Sequence, residues 1–183
     1  MKKTFVLALI CTASSLLCFA QAHESKSSSS PVADATRGWV QREAKNLTAA
    51  AEQMPADKYD FHPTAQQMTF AKLIEHIAGS NRFMCSSIAG EAAPKGNGAT
   101  EKDGKDKLVE DMKASFDYCG SALAKADDSK LGEEIPWFGK SQQTRAFVMV
   151  ALAADLADHY SMAAAYLRLN GMLPPTAQQK KKD

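Results

Sequence analysis

"DLADHYSMAAAYLRLNG", Asp155 to Gly171, is the stretch on which the reading of this chain turns. Steps of three and four residues from Val148 through Leu152, Asp155, His159, Met162 and Tyr166 stay on one side of a helix. A carboxylate and an imidazole one turn apart thus fall on the stripe that should be buried. Buried aspartates are almost always paired, because an unpaired one is expensive or takes up a proton. Gly171 suits the left-handed position past a helix end, and Pro174-Pro175 prevents a restart.

Working outward from that helix, the same periodicity recurs three times. Ser141 reads as the cap of the last helix, and the loop before it carries Gly132 and Pro136-Trp137-Phe138-Gly139. A helix over about residues 105 to 125 places Leu108, Met112, Phe116, Cys119 and Leu123 on one stripe, with charges opposite. Another starts after Thr69, a suitable N-cap, and carries Phe70, Leu73, Ile77 and Phe83 on one face. The first runs from about Asp34 to Met54, with Trp39, Val40, Leu47, Ala50 and Met54 recurring on its inner side. "PADKYDFHPTAQQM" and "GEAAPKGNGATEKDG" are the breaks between helices. No segment alternates as a strand and no repeat is visible, so the fold class is all-α, a four-helix bundle.

The ends and the charge bound the function further. "MKKTFVLALICTASSLLCFAQA" combines two lysines, an apolar run and a small-residue end, which predicts a secretory signal peptide over residues 1–22. A membrane span needs about 20 predominantly apolar residues, so no stable span is expected after cleavage. Residues 23–32 read as a flexible Ser-rich linker, 33–176 as the bundle and 177–183 as a flexible Lys-rich tail. The expected location is periplasmic or secreted. Cleavage removes two lysines and no acid, leaving a formal charge of −1; with no basic helix face, nucleic acid is not an expected partner. Of the four cysteines, Cys85 and Cys119 remain after cleavage, and an even count in an oxidising compartment favours a disulfide between them.

His76, between Leu73 and Ile77, is the other histidine on a helical core stripe; His23 falls in the linker and His62 in the Pro-rich connection. Two imidazoles and a carboxylate can supply three ligands to a divalent metal and leave a position open for water. The same spacing also describes a structural pair, with Asp155 bonded to His159 or to Arg145, Arg168 or Lys72. Asp158 and Glu75 fall about 100° round their helices from the stripe, and Tyr160, Tyr166 and Trp137 read as packing residues. Arg168 suits a helix C-terminus, where a cation complements the dipole.

"MPADKYDFHPTAQQMTFAKLIEHIAGSNRFMC", Met54 to Cys85, and "DHYSMAAAYLRLNGMLPP", Asp158 to Pro175, resemble the DinB-like family of four-helix-bundle metalloenzymes, in particular its exported members. The resemblance implies a divalent metal ion, Zn, Ni or Mn, held by one histidine of the second helix and two spaced H-x-x-x-H on the fourth. His76 matches the first of these and His159 the last, while Asp155 occupies the middle place. A carboxylate there is a legitimate ligand but alters affinity and the acidity of bound water. The implied activity is that of a metal-dependent hydrolase or a thiol S-transferase acting on an unknown small-molecule substrate. No second residue reads as a general base, so the catalytic residues stay unassigned. The alternative is a non-catalytic binding or interaction protein of the cell envelope with a degenerate metal site. Related bundles often dimerise, which extends the expectation to a homodimer.

Overall fold

Pro31 opens the first helix three residues earlier than the apolar pattern predicts, giving α1 (Pro31–Gln53). Proline is favoured at a first helical position because its missing N–H has no partner there anyway. The next orphan donors, the N–H groups of Val32 and Ala33, bond to the two carboxylate oxygens of Asp128 at 3.0 and 2.9 Å. This cap comes from far along the chain, so the expected linker ends at Ser30 rather than residue 32. The computed structural model describes residues 28–178; the expected signal peptide, residues 23–27 and the tail beyond Gln178 lie outside the described residues.

The second helix, α2 (Phe70–Ala89), starts where Thr69 predicts, its hydroxyl accepting from the Lys72 N–H. It stops at Gly90, whose φ of 68° is the left-handed conformation that glycine adopts without strain. The third, α3 (Lys105–Ala124), buries all five residues of its predicted stripe. Ahead of the fourth helix the expectation of no strand fails. Glu134–Pro136 (β1) and Gln142–Thr144 (β2) pair antiparallel, with Ile135 opposite Gln143. Strands of three residues are too short to show alternation, and tertiary contact supplies the rest: Ser87 of α2 donates to the Pro136 carbonyl at 2.8 Å. Ser141 therefore lies in the hairpin, and Thr144 caps α4 (Arg145–Leu169) by accepting from the Phe147 N–H. The helix runs out at Asn170, with Gly171 at φ 74° as expected.

The four helices form a bundle in which α1 neighbours α3 and α4, and α2 neighbours α3 and α4. Leu47, Leu73, Ile77, Leu108, Met112, Leu152 and Leu156 fill the interior between them. The Pro-rich connection closes one end. Tyr166 donates to the Met68 carbonyl at 2.6 Å, and Tyr59 to the Ala51 carbonyl at 2.8 Å. A disulfide joins Cys85 of α2 to Cys119 of α3, with Cα atoms 5.2 Å apart. Nearby, the connection between these helices is strapped down: Arg82 pairs with Asp111 at 2.6 Å, and the same carboxylate oxygen accepts the Asn97 N–H at 2.8 Å. No helix among the described residues is long and apolar enough to cross a membrane.

Candidate metal centre

His76 of α2 and the Asp155/His159 pair of α4 meet across the groove between those two helices. The imidazoles of His76 and His159 stand edge to face, with centroids 5.0 Å apart. Asp155 Oδ2 lies 3.2 Å from His159 Nδ1. This contact is short but lacks hydrogen-bond alignment, so both atoms are buried and unpartnered. His159 is only 4% exposed. Asp155 is half-buried, at the rim of the stripe rather than on it, and His76 is exposed on the groove edge rather than lodged in the core. The helical step predicts the first fact only coarsely. At about 100° per residue, the buried Met149, Leu152, Leu156, Ala163 and Leu167 centre the inner face to one side of the row that holds Asp155, which leaves the carboxylate at its edge.

Electrostatics follow from this placement. Loss of water around the His76 ring lowers its pKa, and the neighbouring His159 lowers it further, against the opposing pull of Asp155. The shift favours the neutral imidazole, the form that ligates metals. Ser80 Oγ approaches His76 Nε2 at 3.5 Å, too long for a firm hydrogen bond.

Two donors held by one ion at about 2.1 Å each would stand roughly 3.0 to 3.4 Å apart. The 3.2 Å between Asp155 Oδ2 and His159 Nδ1 fits that spacing. His76 adjoins the pair without converging on the same point, and among the described residues no three His, Cys, Asp or Glu side chains form a ready ion site. A hollow of about 560 Å³ lies elsewhere, lined by Glu52 of α1 and by Lys105, Val109 and Lys113 of α3. The unpartnered donors are the better guide, because chemistry needs polar atoms with unused valence and that hollow is lined mainly by solvated charges.

The other singled-out residues have structural duties. Glu75 bonds Lys72 at 3.1 Å and accepts the Glu101 N–H at 2.9 Å. Asp158 and Arg168 face outward. Tyr160 bonds Thr176 at 2.8 Å, holding the chain beyond α4, and His62 closes its own turn against the Thr64 carbonyl. Trp137 packs between Phe83 of α2 and Phe147 of α4, with Phe138 stacked on Phe83 at 4.5 Å. The sequence puts Phe83 on the apolar face of α2, where it is half-buried, and carries no mark of the exposure of Phe138 and Phe147. The signal present was the seven-residue step from His76 to Phe83, which puts both on one face.

Residues 40–163 match the DinB superfamily. Comparison with curated proteins finds no match. Among solved structures, the chain is similar to the DinB-like protein YjoA from Bacillus subtilis, at 20% identity and a TM-score of 0.64, covering 80% of this chain and 99% of that one. It is also similar to a DinB-like protein from Bacillus cereus, at 14% identity and a TM-score of 0.59, with 75% and 94% covered. A conserved protein from Enterococcus faecalis matches at 15% identity and a TM-score of 0.59, with 75% and 96% covered. Likeness at these identities speaks for the fold.

Proposed function

The chain belongs to the DinB superfamily, and from that premise we propose that it is an exported, divalent-metal-dependent enzyme whose ion is held by His76, Asp155 and His159. The observation that carries this reading is the buried, unpartnered pair of donor atoms, Asp155 Oδ2 and His159 Nδ1. Buried polar atoms are rarely left unsatisfied, and two that face each other without bonding call for a third party. Both can ligate at their present separation, and the exposed His76 supplies a neutral donor from the opposite helix. The ion, Zn, Ni or Mn, would supply a Lewis acid able to lower the pKa of a water or a thiol, as hydrolysis or thiol S-transfer requires. The chain's own contribution is to orient: α4 fixes the Asp155–His159 spacing, and Ser80 lies beside the His76 ring. The substrate is a small molecule reaching the groove from the His76 side, where the site is open.

Export is supported by the Cys85–Cys119 disulfide, since such bonds persist in oxidising compartments. We propose self-association as well, on the strength of the family resemblance alone. A second reading, a non-catalytic envelope protein with a degenerate site, is favoured by one observation: His76 does not converge with the other two donors.

Elemental analysis separates the readings. The chain from residue 23, expressed without a histidine tag, is expected to carry about one divalent ion per molecule, lost in His159→Ala. An absence of metal after reconstitution with Zn, Ni and Mn would overturn the metalloenzyme reading and favour the second.

A further inference from the structure

Two rings of the aromatic group on α2, α4 and the hairpin are largely open to solvent. Phe83 and Trp137 are half-buried, but Phe138 is 55% exposed and Phe147 45% exposed. The loop that presents them is fixed. Trp137 N–H donates to the Ser141 carbonyl at 3.0 Å, Ser141 Oγ donates to the Phe138 carbonyl at 2.8 Å, and Gly139 takes the left-handed turn position at φ 72°. Trp137 touches Phe83 on α2 and Phe147 on α4, so this ledge spans the groove that holds His76 and Asp155.

The two features share one lane. On α2, Phe83 is two turns from His76, about 10 Å along the axis; on α4, Phe147 is eight residues from Asp155, about 12 Å. The floor between them carries almost no side chain. Gly79 is exposed, and a Cβ added there would meet nothing within 4 Å; Ala151 occupies the matching row of α4. At the far end, the 4%-exposed His159 turns an unpartnered Nδ1 toward Asp155.

We infer that the α2/α4 groove binds an elongated small molecule, with a planar aryl group on the ledge of Phe83, Trp137, Phe138 and Phe147 and a polar head at His76, Asp155 and His159. The inference rests on reading those three residues as the reactive end and adds the class of molecule they act on. Phe138 offers an open ring face, and offset stacking there favours a flat aromatic over an aliphatic chain of similar area. The length between ledge and cluster requires a spacer, so an aryl group attached directly to the reacting atom would not serve both ends.

The test is an NMR titration of the metal-free protein with 6-phenylhexylamine, whose chain separates the ring from an ammonium that can donate to Asp155, following the indole N–H signal of Trp137. The chain has two tryptophans, and Trp39→Phe identifies the Trp137 signal. A saturable shift is expected, with affinity weakened about fivefold by Phe138→Ala and at least as much by Gly79→Leu. Leucine is a better helix former than glycine, so the second variant keeps its fold while blocking the lane. Octylamine, which has no ring, is expected to give no saturable shift. The inference is overturned if 6-phenylhexylamine gives no saturable shift, if octylamine binds as well, or if either variant binds like the parent. Because metal is absent, this outcome is independent of the elemental analysis.

Discussion

Replacing Cys85 and Cys119 together by alanine opens a loop closed across a sequence separation of 34. In the chain-entropy description, a cross-link of that span stabilises by about 4 kcal/mol, because the unfolded chain regains the freedom that the bond denied it. Both sulfurs are fully buried, so their removal also leaves small voids and adds roughly 1 kcal/mol. A loss of about 5 kcal/mol compares with a typical net stability of about 5 to 15 kcal/mol. For a domain of this size the entropic part alone corresponds to a fall in Tm of roughly 8 to 16 °C. Urea unfolding followed by circular dichroism tests both the size and the origin of the effect. The denaturant slope should rise, since the unfolded state becomes less compact. The single replacements should each cost about as much as the double, because either one removes the whole bond. A double variant weakened by less than about 1 kcal/mol, with an unchanged slope, would refute the reasoning.

Gly96→Ala should destabilise by roughly 1 to 3 kcal/mol, because its Cβ would meet Asp111 Oδ1 at 2.7 Å and Arg82 Cζ at 2.8 Å; thermal melting checks this, with Gly38→Ala, in open space on the exposed side of α1, as the tolerant comparison. Burial raises the pKa of Tyr59, Tyr118 and Tyr166, so above the ordinary tyrosine value the unfolded chain releases protons that the native one keeps. Stability should therefore fall as pH rises beyond about 10, and Tyr59→Phe should flatten that fall while costing about 1 kcal/mol at neutral pH through its lost hydrogen bond. Asp155→Leu should leave the metal-free protein equally stable or raise Tm by a few degrees, since no aligned hydrogen bond is lost and the buried, unpartnered Oδ2 is replaced by an apolar group. A loss of about 2 kcal/mol or more in that variant would make Asp155–His159 a structural ion pair.

Four helices were legible because each one's inner residues repeat at helical spacing, most plainly Leu108, Met112, Phe116, Cys119 and Leu123, all buried as read. What escaped was set by contacts distant in sequence. Asp128 caps α1 from 95 residues or more away, and nothing near Pro31 announces it. The hairpin exists because Ile135 is buried and Pro136 bonds Ser87, not because its three-residue strands carry a pattern. In α4 the apolar residues run almost all round, which left the rotation of the stripe loosely defined. Asp155 consequently read as fully inward when it lies at the rim.

The candidate site was legible as an anomaly and not as a geometry. Spacing brings Asp155 within reach of His159, but the bond angle that separates a satisfied pair from an open one depends on side-chain rotation. Other buried polar atoms without partners, Trp39 Nε1, Asn81 Oδ1, Tyr118 Oη and Arg145 Nε, occur one to a residue on separate elements or separate turns. Among the described residues, only Asp155 Oδ2 and His159 Nδ1 face each other. The same groove holds an exposed His76, two exposed phenylalanines and an open Gly79. Elsewhere departures from the local rules of burial and bonding stand alone, Asn81 Oδ1 in the interior among them, whereas along this lane several gather. Such a gathering is what the proposed binding role requires, since a lane shaped for stability alone would be filled and its donors paired.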